Sequence, residues 1–414
     1  LQEIILSQRL LMKYIIDPVH GFTPIDDGLI TTLVKHPLFQ RLTRIRQLGV
    51  EGIVYPGAQH TRFQHSLGAY HLTRQAVSAL EVKGVNLEKQ EREGLLAAIL
   101  LHDVGHGPFS HVLENVIIPD VSHEQISQMV MERMNRELGG ALTVAIEIFT
   151  DKYPKHFLHE LISSQLDIDR LDYLCRDSFF TGVREGNVGA ARIIQMLNVK
   201  DDHIAVDEKG IYSIENYLMT RRMMYWQVYF HKTAVAAEAM LTGALRRARQ
   251  MIHTGTDLFA SPALDFFLRY DITAQQFADN PECLENYMEL DDTDIISALK
   301  VWMKNGDKIL SVLSNNFINR RVFKTDIYDG DVPSGCVDGI RKQIAAKLAL
   351  SNEETDFFVC QKVIEKDMYN MQADQIRILL RNGGVSTMPE VSEIIRTDTA
   401  ATPYRKTYIV HERL

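Results

Sequence analysis

Seven consecutive apolar residues, Leu95-Leu-Ala-Ala-Ile-Leu-Leu101, run directly into His102-Asp103 and are stopped by Gly105, Gly107 and Pro108. A run of this kind, rich in Leu and Ala, reads as a helix buried on every side, and the Gly/Pro cluster ends it just past the polar pair. His102 and Asp103 are therefore expected deep in the molecule, at a helix end. An ionised carboxylate in apolar surroundings is costly unless a cation compensates it. Adjacent imidazole and carboxylate supply the N and O ligands that a divalent metal prefers.

Two further segments carry matching chemistry. Upstream, Tyr55-Pro-Gly-Ala-Gln-His60-Thr-Arg62-Phe-Gln-His65-Ser-Leu-Gly68 opens a second apolar helix through Tyr70, Leu72 and Val77, which puts His65 in its first turns. Downstream, Leu166-Asp167-Ile-Asp169-Arg170-Leu-Asp172-Tyr173-Leu-Cys-Arg176-Asp177 carries four Asp in the eleven residues from Asp167. Helical spacing places Asp169 and Asp172 on one face with Arg176 and rotates Asp167 away.

The chain divides in expectation into an extension at 1–11, a helical core at 12–250 and a smaller α+β lobe at 251–414, so the fold class is mainly α. A helix is expected from His36 through Ile45, a hairpin between Leu197 and Ile214 turning at Glu208-Lys209-Gly210, and one long helix from Ile214 past Leu245. Alternating runs at 356–364, 376–381 and 407–411 read as strands. A net charge of -9 over 414 residues argues against sequence-independent duplex binding, which needs a broad basic face, so a nucleic-acid partner is not expected. Leu1 to Leu11 is too short and too polar to span a membrane. The four Cys have no CxxC spacing, which points to reduced thiols and a cytoplasmic location.

The ordered set His65, His102-Asp103 and Asp169 resembles the signature of the HD superfamily of metal-dependent phosphohydrolases. The surrounding phrases Asp17-Pro-Val-His-Gly, Phe39-Gln-Arg-Leu, Gln47-Leu-Gly, Arg62-Phe-Gln-His-Ser-Leu-Gly, His102-Asp-Val-Gly-His-Gly-Pro-Phe-Ser-His, His123-Glu-Gln and Asp169-Arg-Leu-Asp-Tyr are similar to its deoxynucleoside triphosphate triphosphohydrolase branch, the SAM- and HD-domain relatives. The resemblance implies an HD-domain helical core, with His65, His102, Asp103 and Asp169 holding one divalent metal. Two imidazoles and two carboxylates suit Fe, Mn, Co, Ni or Zn better than Mg, which would enter mainly with a triphosphate.

The same resemblance implies hydrolysis of a deoxynucleoside triphosphate to deoxynucleoside and inorganic triphosphate. Gln47 and Leu48 would face the sugar, with Tyr173 near it and Asp177 a further substrate contact. Arg62, Arg170, Arg221, Tyr229 and Lys232 would contact phosphate or base. His106, His111 and His123 are the acid-base candidates, imidazole being the side chain that titrates near neutrality. His123 would protonate the leaving oxygen, oriented by a carboxylate; Glu114 stands where relatives carry Asp. Phe230 replaces the Gln expected beside Tyr229.

A homo-oligomer, dimer or tetramer, is implied as well. Lys13, Arg320 and Lys324 match positions that contact the phosphates of a regulatory nucleotide. Lys35 and Thr43 occupy the two positions at which relatives read guanine, so activation by GTP or dGTP is not expected. Two other classes fit a metal set of this kind: a nucleotidase or phosphodiesterase acting on another nucleotide, and a non-catalytic module that senses nucleotides or binds nucleic acid.

Overall fold

The computed structural model describes residues 13–25, 28–109, 116, 118, 120–366, 369, 375–395 and 404–414. The extension at 1–11, His111 and Glu114 lie outside the described residues.

The centre is a helical layer. Helix α1 (Arg62–Val82) starts at a capping box of Thr61 and Gln64 and buries Leu67, Tyr70, Leu72 and Val77. Helix α2 (Lys89–Leu101) buries every residue of the apolar run, and His102 is its C-cap. Around them pack α3 (His123–Glu137), α4 (Thr143–Phe149), α5 (His156–Glu160) and α6 (Ile168–Thr181). Two glycines permit approaches that a side chain would block. A Cβ on Gly68 would sit 2.0 Å from Asp172 Oδ1, and one on Gly105 would sit 2.3 Å from the Ser127 amide nitrogen. The first lets α6 lie against α1; the second lets α3 close on the turn after His102.

Three local expectations are corrected. The segment from His36 to Ile45 is a short α-helix, Pro37–Gln40, followed by a 3-10 turn, Arg41–Arg44. Ile45 leaves it extended, because its carbonyl accepts from the Arg62 amide at 3.0 Å. The hairpin of β3 (Leu197–Lys200) and β4 (His203–Asp207) turns at Asp201-Asp202, with φ of 52° and 62°, a left-handed pair that Asp tolerates and a tight hairpin demands. Glu208–Gly210 instead leads into the next helix. The long helix is two: α7 (Ile211–Met224) passes through a π-helical turn, Tyr225–Tyr229, before α8 (Lys232–His253) restarts with the His231 ring accepting from the Thr233 amide. A π turn widens the helix and re-aims its side chains, here a run of aromatic residues.

The C-terminal region adds α9 (Asp292–Trp302), α10 (Lys308–Ile318) and α11 (Cys336–Leu348). With them come β5 (Lys324–Tyr328), β6 (Val359–Lys366), β7 (Arg377–Leu379), β8 (Val385–Thr387) and β9 (Tyr404–His411). Strands β5, β9 and β6 form an antiparallel sheet in that order, whereas β7 pairs parallel with β4 of the core hairpin and antiparallel with β8. Asp292 of α9 reaches back into the core, accepting from the Arg46 and Phe109 amides at 3.0 Å each. Among the described residues no helix is long and apolar enough to cross a membrane.

Candidate active site

His65 lies in the second turn of α1, His102 and Asp103 follow α2, and Asp169 occupies the first turn of α6. Their functional atoms converge. His65 Nε2 is 2.9 Å from Asp169 Oδ1 and 3.3 Å from His102 Nε2, and His102 Nε2 is 3.3 Å from Asp169 Oδ1. Asp103 closes the group, 3.5 Å from His102 Nε2 through Oδ1 and 3.7 Å from His65 Nε2 through Oδ2.

The other nitrogen of each ring fixes the protonation. His65 Nδ1 is 2.7 Å from Asp172 Oδ2, and His102 Nδ1 is 2.7 Å from the Ile99 carbonyl. Each Nδ1 faces an acceptor and so carries the proton, leaving both Nε2 lone pairs aimed at one point among carboxylates. Such an arrangement calls for a cation there, and outer-sphere bonds of this type orient ligating histidines. The donor set fits a divalent metal. Without metal the site takes up protons: burial disfavours the His65 imidazolium, but Asp169 and Asp172 outweigh it and push the ring up to about 10.

Asp172 is the hub of the bracing. Fully buried, it also accepts from His20 Nε2 at 2.6 Å and from the Arg176 guanidinium at 2.9 and 3.0 Å, and Arg176 reaches Asp17 at 2.8 Å. Burial alone would raise this carboxyl, yet Arg176, His20 and His65 hold it well below the usual carboxylate range. Asp17 and His20 belong to the first of the phrases that carry the resemblance. Their task is now visible: they hold the group that holds His65.

On the other side of the cluster, Arg62 pairs with Asp103, and His106 Nδ1 lies 3.2 Å from Asp103 Oδ1. Burial, and then the charge of Arg62, keep His106 well below the usual imidazole range, so it is neutral near pH 7. The His123 ring stacks on His106 at 3.8 Å between centroids, and its Nε2 is 3.2 Å from Glu124 Oε1. Sequence reasoning did not single out Glu124 as a carboxylate beside His123, although the two are adjacent in the chain. It also missed Arg41, a buried guanidinium that holds the carbonyls of His106, Tyr287 and Leu290 at 2.9, 3.2 and 2.8 Å and so fixes the turn after the His-Asp pair.

The cluster opens into a cavity of about 790 Å³ whose lining includes Arg62, Asp103, His106, His123 and Asp169. That volume falls in the ordinary range for a small-molecule site. Gln47 and Leu48 line it too, and Gln47 Oε1 is buried with no hydrogen-bond partner among the described residues. Tyr173, Tyr225, Tyr229 and Phe230 form an aromatic wall, with Tyr229 5.8 Å from Tyr225 and 6.0 Å from Tyr173. Asp177 also lines the cavity but is already engaged, accepting from His60 Nε2 and the Tyr229 hydroxyl at 2.8 Å each. A further wall comes from far along the chain: Glu51 with Glu238 and Arg246 of α8 and Lys362 of β6.

The expected phosphate cations do not all gather here. Arg62 lines the cavity, whereas Arg170, Arg221 and Lys232 are not among its lining residues. Arg170 is drawn to the Ser164 carbonyl at 2.9 Å and to Asp167 at 3.1 Å, while Arg221 is buried over the Tyr217 ring. Lys232 is exposed at the start of α8. Lys13 in β1 (Lys13–Asp17), which pairs with β2 (Gly21–Ile25), is exposed, as are Arg320 and Lys324, and none of the three lines the cavity.

The HD domain family matches residues 62–177, and the HD associated region matches residues 188–261. A crystal structure of a phosphohydrolase from Bacteroides thetaiotaomicron is similar with a TM-score of 0.95 and 52% identity, over 97% of this chain and 100% of that one. An uncharacterized protein of Bacillus subtilis, YwfO, is 37% identical over 326 residues, 77% of this chain and 72% of its own length. The deoxynucleoside triphosphate triphosphohydrolase SAMHD1 of Homo sapiens is 31% identical over 285 residues, 58% of this chain and 45% of the human protein. Likeness of that extent, around a site of this chemistry, makes the chain a member of the HD-domain phosphohydrolase family.

Proposed function

We propose that this phosphohydrolase cleaves deoxynucleoside triphosphates to deoxynucleoside and inorganic triphosphate, using one divalent metal held by His65, His102, Asp103 and Asp169. The observation that carries the reading is the pair of Nε2 atoms 3.3 Å apart, facing each other among carboxylates beside a nucleotide-sized cavity. A bound Fe, Mn, Co, Ni or Zn ion supplies Lewis-acid polarisation of a phosphate oxygen and a more acidic water; Mg is the ion expected to accompany the triphosphate.

The chain's own residues do the rest. Arg62, already beside Asp103, neutralises phosphate charge. His123 delivers a proton to the 5'-oxygen as its bond to the α-phosphorus breaks and a water oxygen bonds to that phosphorus, the proton released by the water passing to solvent, from which the imidazole is recharged. His106, neutral and stacked beneath it, fixes the ring. The orphaned Gln47 Oε1 is free to accept from a sugar hydroxyl, Leu48 crowds the 2'-position, and the aromatic wall suits a base. Arg170, Arg221 and Lys232 engage phosphate only by leaving the partners or positions they have here.

The relative named as a deoxynucleoside triphosphate triphosphohydrolase supports this substrate class. A cytoplasmic homo-oligomer, dimer or tetramer, completes the proposal, with Lys13, Arg320 and Lys324 available for a regulatory nucleotide. Lys35 and Thr43 make strict dependence on GTP unexpected. Incubation with a panel of nucleotides and chromatography of the products tests the reaction. Inorganic triphosphate with deoxynucleoside supports it; orthophosphate as the first product indicates a nucleotidase, and no turnover indicates a non-catalytic module.

A further inference from the structure

A second cluster of ligand-type side chains lies outside the cavity. His156 and Glu160 sit one turn apart on α5, and His203 opens β4. His203 Nδ1 is 2.8 Å from Glu160 Oε1, a hydrogen bond whose proton an entering ion would displace, and His156 Nε2 is 3.6 Å from the same oxygen. One ligand atom from each of the three residues lies within 4.8 Å of the others. Ligands about 2.0–2.1 Å from a tetrahedral ion lie about 3.3 Å apart, so the two distances bracket what such an ion requires.

The surroundings are built for the same purpose. His156 Nδ1 is 2.6 Å from Asp151 Oδ1, which commits its proton to that carboxylate and turns the Nε2 lone pair toward Glu160. A lone pair facing an anion is relieved by a proton or by a metal ion placed between them, and a metal ion can serve both imidazoles at once. Glu160 is nearly buried, and its second oxygen accepts from the Ile204 amide at 2.6 Å, so the carboxylate cannot swing away. The His156 amide, in turn, donates to Asp202 Oδ2 at 2.9 Å, in the turn of the β3–β4 hairpin. Carboxylate-braced imidazole, a fixed carboxylate and a second imidazole form a three-ligand N2O set with an open position.

We propose that His156, Glu160 and His203 bind a borderline divalent cation, of the Zn, Co or Ni class, which pins the β3–β4 hairpin to α5. The ion is structural: none of its ligands lines the cavity that holds the HD residues. Through β4 it steadies the parallel pairing that ties β7 to the core.

Chelator-treated protein is titrated with Co2+ or Zn2+ alone, in an Asp103→Ala background that separates this site from the HD cluster. Elemental analysis should find one metal ion per chain fewer in Asp103→Ala/His203→Ala than in Asp103→Ala. Asp151→Asn, which keeps the hydrogen bond but not the charge, should weaken uptake about 10–100-fold. His156→Ala provides a second removal of a ligand should His203→Ala fail to fold. Equal metal content with and without His203, in variants of unchanged circular dichroism, overturns the proposal.

Discussion

The two walls of the cavity were assembled differently. The wall bearing the imidazoles comes from three compact motifs, and a buried chain of ion pairs braces it from behind: Asp172 is held by Arg176, His20 and His65, and Arg176 in turn by Asp17. The wall bearing Glu51, Glu238, Arg246 and Lys362 comes from segments spread over hundreds of residues. It holds the ion pair of Lys362 to Glu238 at 3.0 Å, on an exposed lysine, while Glu51 is buried where Glu238 weighs more than Lys362. The first wall is braced for charge and the second is more loosely paired. Chemistry belongs on a wall that does not move, and recognition tolerates one that can.

The largest expected effect on this contrast is at His123. If it is the proton donor of the rigid wall, His123→Ala lowers kcat about 10²–10⁴-fold while metal content and KM change little. Steady-state rates within twofold of wild type would leave His123 a structural residue at the start of α3 and the rigid wall without its acid.

Next is the brace itself. Asp172→Ala leaves Arg176 with Asp17 alone and removes the acceptor of His65, so urea unfolding should show a loss of about 3–5 kcal/mol, the range for breaking a buried ion pair. A loss below 1 kcal/mol would mean that the two walls are equally soft.

The smallest effect concerns Glu51. Burial, and then Glu238, push its carboxyl well above the ordinary 4.5. The folded state therefore keeps this proton at pH values where the unfolded chain has released it. In that window the unfolded state binds fewer protons, so stability falls as pH rises, from the unfolded value up to the raised folded one. Glu51→Gln removes the titration, and its melting temperature relative to wild type should climb as pH rises from about 5 to 8. A constant difference across that range would show that Glu51 is stabilised by a partner and that the second wall is as preorganised as the first.

The same contrast explains what could be read from the chain. The run Leu95–Leu101 with His102-Asp103, and the histidine in the first turns of α1, were legible because helix period and polar interruption lie within one short segment. Asp172 and Arg176 were placed on the right face, but their link to Asp17 and His20, 152 to 159 residues away, has no local signature. The hairpin turn was set one strand too late, after β4 instead of before it, because Glu208-Lys209-Gly210 and Asp201-Asp202 are both turn-like and only strand pairing chooses between them. The π turn at Tyr225–Tyr229 was invisible for a similar reason: nothing in a continuous helical pattern marks an inserted residue. The second wall and the carbonyl contacts of Arg41 depend on how the C-terminal region docks, which no single segment encodes.

The most direct measurement is the metal content of Asp103→Ala protein against its parent, both in the His203→Ala background so that the second cluster contributes nothing. One divalent ion per chain in the parent and none in the variant, with hydrolysis lost and circular dichroism unchanged, is the expected result. Stoichiometric metal retained after Asp103 is removed would contradict the assignment of His65, His102, Asp103 and Asp169 as one metal-binding set.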